Sequence, residues 1–293
     1  MKPHPSMPFS DHVIYYDGVR IYYIIAGERR NTPLVFLHGA PWGTKCYEVV
    51  RELARHFFVI APEQPGFGRS DPLRSYVNLP EQYADVIHQI LTQENLDTAK
   101  PIIMAQSFGG HAAHGYLKKY PHHISYLILI DAVMPTMPVP CTWRIIWTQI
   151  ILRGLGGVLL PMIPKKITRW IIKTLWRKYT LVWDAVEQYP ERLRSLTYHA
   201  VASLYCSLRT QQPSMSVDYS ACPVLMLWGE RDGEDHTIVE GGGIAHIRIA
   251  QELYKKIKAV NPDVRFVTLK GGHTILYENP SYVIGEIRKF IKT

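Results

Sequence analysis

The chain has 293 residues, 47% of them hydrophobic, and its 33 basic and 25 acidic side chains leave a net charge of +8. That length can bury a sizeable core in one large domain carrying an insertion, and the composition excludes a disordered or fibrous chain. The four cysteines, Cys46, Cys141, Cys206 and Cys222, lie far apart without a C-x-x-C pair, so neither a disulfide framework nor a zinc site is expected.

Residues 1–10, with Pro3, Pro5 and Pro8, read as a loose leading arm. They lack an apolar stretch of signal-peptide length, and nowhere do eighteen apolar residues run together, so a soluble cytoplasmic protein is expected. An apolar strand ending at Leu37 breaks into His38-Gly39-Ala40-Pro41. Tyr83, Val86, Ile87, Ile90 and Leu91 follow at helical spacing. Pro101 to Met104 lead as a buried strand into Ala105-Gln106-Ser107-Phe108-Gly109-Gly110, where small residues precede a helix carrying His111 and His114. A further strand, Tyr126 to Ile130, delivers Asp131 at its end. The run from Pro223 to Trp228 is another buried strand, stopping at Gly229 and followed by Glu230, Arg231 and Asp232. Ala250, Leu253, Tyr254 and Ile257 again have helical spacing, the strand Val264 to Leu269 comes next, and Lys270-Gly271-Gly272-His273 closes the series. Strands alternating with helices imply a mostly parallel sheet covered on both faces, with ligands at the carboxyl ends of the strands.

Ser107 stands where such a strand turns sharply into a helix. A serine is a poor nucleophile until an imidazole takes its proton and a carboxylate holds that imidazole in the right tautomer. Both groups follow in the order serine, acid, histidine, with Asp232 as the orienting acid and His273 on a glycine-rich loop. Glu230, Asp235 and, from a neighbouring strand end, Asp131 compete for the acid role. His38 is assigned to shaping the loop after its strand, His111 to a supporting or structural place, and His114 is left unassigned.

The fragments L-V-F-L-H-G-A-P at 34–41, E-Q-P-G-F-G-R-S at 63–70, the turn at 105–110, W-G-E-R-D at 228–232 and G-G-H-T-I-L-Y-E-N-P at 271–280 resemble, in order and spacing, the α/β-hydrolase superfamily in its lid-bearing, esterase- and lipase-like branch. The resemblance implies an α/β-hydrolase fold: a mostly parallel central sheet flanked by helices, with a helical lid inserted after the sixth strand. It divides the chain into a core of residues 1–131 and 216–293 and a lid of residues 132–215. It gives Ser107, Asp232 and His273 the roles of nucleophile, acid and base, and points to the backbone amides of Phe108 and Ala40 as the oxyanion hole. Two departures are Ala105, where the pattern G-x-S-x-G has its first glycine, and Glu63, where relatives commonly carry aspartate and for which no role is assigned. The expected activity is hydrolysis of a carboxylic ester with an apolar acyl portion, needing neither metal nor organic cofactor. Thioesters, the carbon–carbon bonds of diketones and a slow or non-catalytic ligand receptor remain open. Relatives that open epoxides or remove halogens present aspartate at the position of Ser107.

The expected lid carries the charge of the whole chain. From Ala132 to Trp183 there is no acidic residue and eight basic ones, so the remainder holds 33 − 8 = 25 basic against 25 acidic residues. Lys165, Arg169, Lys173 and Arg177 recur every four residues, and Trp143, Trp147, Trp170 and Trp176 lie among aliphatic neighbours. An amphipathic basic helix of this kind suits peripheral contact with an anionic membrane, or its apolar face packs on the body with the cations in water. No nucleic-acid recognition motif accompanies the charge.

Overall fold

The computed structural model describes residues 9–39, 44–75, 78–134, 167, 170, 217–232 and 246–292. Among these residues eight strands form one sheet: β1 (Ser10–Tyr16), β2 (Val19–Ala26), β3 (Pro33–Leu37), β4 (Phe58–Pro62), β5 (Ile102–Gln106), β6 (Tyr126–Ile130), β7 (Val224–Gly229) and β8 (Val264–Leu269). Their spatial order is β1-β2-β4-β3-β5-β6-β7-β8. The first two pairings in that order, β1 with β2 and β2 with β4, are antiparallel, and every later pairing is parallel.

The burial of each strand follows from its residues. β4, β5 and β7 are buried at every position, which is why they read as unbroken apolar runs instead of alternating ones. The edge strand β8 mixes exposed and buried positions, as a strand with one open side must. The helices α1 (Thr44–Leu53), α2 (Leu79–Gln93), α3 (Gly109–Lys119), α4 (His246–Lys258), α5 (Ile275–Glu278) and α6 (Pro280–Ile291) accompany them. α2 buries Tyr83, Val86, Ile87, Ile90 and Leu91, the stripe expected from their spacing, and α4 buries Ala250, Leu253 and Ile257. α6 starts with Pro280 in its first turn and with the Asn279 side chain accepting a hydrogen bond from the Tyr282 amide.

Of the leading arm expected over residues 1–10, the first eight lie outside the described residues, and Ser10 already pairs with Ile25. The expected lid lies outside them too, apart from its first three residues, 132–134, and the two helical residues Ile167 and Trp170, which are 49% and 66% exposed. Its first residues pack with the core: Ala132 and Met134 are buried, and the Val133 amide donates to the Ser107 carbonyl at 2.8 Å. No helix among the described residues is long and apolar enough to cross a membrane.

Candidate active site

Ser107 occupies the turn between β5 and α3 with a φ of 48°, a left-handed conformation that costs a non-glycine residue about 1–2 kcal/mol. The strain is held from both sides. The Ser107 amide donates to the Ile130 carbonyl at 3.2 Å, while its own carbonyl accepts from Gly110 at 2.9 Å and from Val133. At Gly109 a Cβ would lie 2.2 Å from the Leu37 carbonyl oxygen, so only glycine lets α3 start this close to the end of β3. Ala105 sits inside β5, paired with Leu37 and Leu129, and the strand carries its methyl group without interruption. The turn is therefore built without the first glycine of the common pattern.

Asp232 and His273 reach Ser107 from the ends of β7 and β8. After Gly229 the chain turns so that the Asp232 amide donates to the Gly229 carbonyl at 3.0 Å, while the Glu230 and Arg231 amides donate to Leu269 and Gly271 at 2.8 and 3.0 Å. These bonds tie the acid's loop to the loop that carries the histidine. Asp232 Oδ1 lies 3.0 Å from His273 Nδ1, and His273 Nε2 lies 2.8 Å from Ser107 Oγ. With the buried carboxylate accepting from Nδ1–H, the lone pair of Nε2 faces the serine hydroxyl. This is the one arrangement in which the imidazole can take the serine proton.

The competing acids are elsewhere. Glu230 is exposed, and Asp235 lies outside the described residues. Asp131 is buried, with its Oδ1 accepting the Gly229 amide at 2.8 Å, so it fastens the end of β6 to the end of β7. Of the two amides expected to face the oxyanion, Ala40 lies outside the described residues. Phe108 is buried at the start of α3, its ring caged by Phe67, Tyr83 and His111 at centroid distances of 5.4, 6.1 and 5.2 Å. That cage fixes the peptide next to Ser107.

His38 shapes the loop after β3. Its Nε2 accepts from the Gln64 amide at 2.9 Å, which leaves Nδ1–H to donate to the Gly39 carbonyl, and the Gln64 side chain donates to the His38 carbonyl. Both ring nitrogens are thereby used in the neutral form. Glu63 gains a role as well: its buried carboxylate accepts from Arg69 through Nε at 2.8 Å, Nη2 at 2.6 Å and the backbone amide, and so pins the loop 63–70. Burial raises the Glu63 carboxyl above its ordinary range, and the Arg69 bonds pull against that rise. Gln64, Gln106 and Tyr277 were not singled out in the sequence. Gln106 was the readable one, a lone amide closing an apolar strand.

Burial lowers both His38 and His114 from the ordinary 6.5 to about 4. Between those values the unfolded chain binds protons that the folded chain refuses, so the two histidines' contribution to stability is complete above pH 6.5 and is lost as the pH falls toward 4. Each histidine contributes a slope of about 1.4 kcal/mol per pH unit in that window. Urea unfolding between pH 7.5 and 4.5 is expected to show the decline, and His114→Leu is expected to remove one histidine's share of the slope. An unchanged slope in the variant refutes the assignment.

Among the described residues no group of three or more histidine, cysteine or acidic side chains is placed to hold a metal ion. Cys46 and Cys222 are buried and form no disulfide among the described residues, while Cys141 and Cys206 lie outside them.

Known proteins share this architecture. A thermophilic esterase from Thermogutta terrifontis superposes with a TM-score of 0.63 at 22% identity, over 97% of this chain and 98% of that one. The 2-hydroxy-6-oxo-6-phenylhexa-2,4-dienoate hydrolase of Rhodococcus sp. strain RHA1 superposes with a TM-score of 0.68 at 16% identity, over 98% and 100%. At these identities the likeness concerns the fold alone. Epoxide hydrolase 3 of Mus musculus is 25% identical over 235 residues, 73% of this chain and 61% of the relative. The three names cover different substrates, so the shared fold does not by itself choose a reaction. The family model that matches, over residues 34–286, is that of the alpha/beta hydrolase family, and this chain belongs to it.

Proposed function

We propose that the protein is a serine hydrolase of carboxylic esters with an apolar acyl portion, working through an acyl-enzyme. The observation that carries this reading is the continuous relay from Asp232 through His273 to Ser107, at 3.0 and 2.8 Å. Ser107 Oγ attacks the carbonyl carbon as its proton passes to His273 Nε2. The amides of Phe108 and Ala40 receive the oxyanion, an interaction worth about 3–4 kcal/mol per donor. Collapse of the tetrahedral intermediate breaks the bond to the leaving alcohol, which departs with the proton from His273. A water that gives its proton to His273 then attacks the acyl-enzyme, freeing the acid and returning the proton to Ser107. Metal and organic cofactors have no step in this scheme. A serine in place of aspartate at the attacking position argues against epoxide opening and dehalogenation.

The same relay serves thioesters and diketones, so the deciding experiment is a panel of p-nitrophenyl esters from acetate to palmitate, with a thioester and a diketone included. Ester turnover that rises with acyl length supports the reading. Exclusive turnover of the thioester or the diketone replaces it, and no turnover at all favours a ligand receptor.

We further read residues 132–215, nearly all of them outside the described residues, as a lid. The segregation of all the net charge into residues 132–183, with Ile167 and Trp170 exposed, supports peripheral contact with anionic lipid. Co-sedimentation with phosphatidylserine vesicles is expected to exceed that with phosphatidylcholine vesicles and to fall as salt rises. Equal sedimentation with both removes the membrane from the account.

A further inference from the structure

The hydroxyl of Tyr277 touches three separate segments of the site. It lies on α5, one turn after His273, and donates to Gln106 Oε1 at 3.2 Å. It accepts from the Gly39 amide at 3.4 Å, and the Cys46 thiol of α1 approaches it at 3.9 Å. Gln106, the residue before Ser107, donates from Nε2 to the His273 carbonyl at 3.2 Å. One hydroxyl proton and two lone pairs are matched to one acceptor and two donors, so the donor and acceptor roles are consistent at every atom. Gln106 and Tyr277 are 2% and 8% exposed, which keeps water from competing for these bonds. The loop after β3 is pressed against the same amide: a Cβ on Gly39 would lie 1.9 Å from Gln106 Oε1 and 3.0 Å from Ser107 Cβ.

We infer that Tyr277 is a positioning residue for the proposed hydrolysis: its hydroxyl, acting through Gln106, holds the loop after β3 and the His273 loop in register with Ser107. The inference rests on the serine-hydrolase reading. Tyr277 touches no reacting atom, yet it links the loop leading to the expected oxyanion donor with the loop that carries the base. Those two loops must keep their spacing as the serine proton moves and the oxyanion forms. Removing the hydroxyl leaves the Gly39 amide and Gln106 Oε1 without this partner and lets the two loops separate. The effect falls on the transition state, because ester binding does not require the donor and the base to be in register.

The test compares Tyr277→Phe and Gln106→Met with Tyr23→Phe, a distant variant that also loses a buried hydroxyl bond, here to Glu94 Oε1 at 2.7 Å. Active sites are counted with a fluorophosphonate probe, so that turnover is expressed per reactive serine. Tyr277→Phe is expected to lose roughly 10- to 100-fold in kcat with KM within about twofold, the scale of a small misplacement of reacting groups. Gln106→Met is expected to behave alike, and the double variant to lose no more than the worse single one, because both break the same link. Tyr23→Phe is expected to melt lower with kcat unchanged. Wild-type kcat in Tyr277→Phe, multiplying losses in the double variant, or a Tyr277→Phe chain that does not fold each overturns the inference and assigns the hydroxyl to stability alone. A wild type that the probe does not label overturns the hydrolase reading itself, which separates the two failures.

Discussion

Asp232→Asn is expected to lower kcat by roughly four orders of magnitude while the protein stays folded. The carboxylate accepts from His273 Nδ1–H at 3.0 Å and so fixes the tautomer whose Nε2 can take the serine proton. An asparagine amide in the same place can donate to Nδ1. The imidazole proton then moves to Nε2, where it faces Ser107 Oγ 2.8 Å away and the base is lost. Asp131→Asn is the informative comparison, since its Oδ1 accepts the Gly229 amide and an asparagine oxygen can do the same. Its kcat is expected to remain near wild type. Steady-state kinetics on both variants decides: an active Asp232→Asn beside an inactive Asp131→Asn transfers the acid role to β6.

Ser107→Ala is expected to abolish fluorophosphonate labelling and to lower kcat by about six orders of magnitude, the scale seen when a serine nucleophile is removed from a working relay. The backbone adds a second expectation. At a φ of 48° alanine keeps the left-handed penalty that serine carries, whereas glycine escapes it. Ser107→Gly is therefore expected to be equally inactive and yet more stable than Ser107→Ala by about 1 kcal/mol, measured by urea unfolding. Equal stability of the two variants shows that the turn holds no strain. Residual labelling in either places the nucleophile elsewhere.

The contrast between Ser107 and Tyr277 shows which parts of the site could be read without coordinates. Ser107, Asp232 and His273 each follow an apolar strand and small residues, so local pattern marks them as groups delivered at strand ends. Tyr277 follows His273 as one apolar-looking residue among several in I-L-Y-E, and its hydroxyl gains meaning only from Gly39 and Gln106, which are distant in the chain. Asp131 and Asp232 look alike in sequence, each an acid just after a buried strand. What separates them is that the Gly229 amide meets one and His273 meets the other. Glu63 stayed without a role for the same reason, because its partner Arg69 returns to it only when the loop closes. The hairpin joining β1 to β2 was legible and overlooked: Asp17-Gly18, both at positive φ, is a two-residue turn of the kind that reverses paired strands.

By itself the sequence determined the alternation of strands and helices, the mostly parallel sheet and the order of Ser107, Asp232 and His273 at strand ends, because burial on both faces demands apolar runs and sharp turns demand small residues. Tertiary structure alone decided which carboxylate faces the imidazole, which tautomer results and which buried hydroxyl ties the loops together. Those outcomes depend on distances of about 3 Å between residues far apart in the chain, and hydrogen bonding at that range is set by how the strands are placed side by side in the sheet.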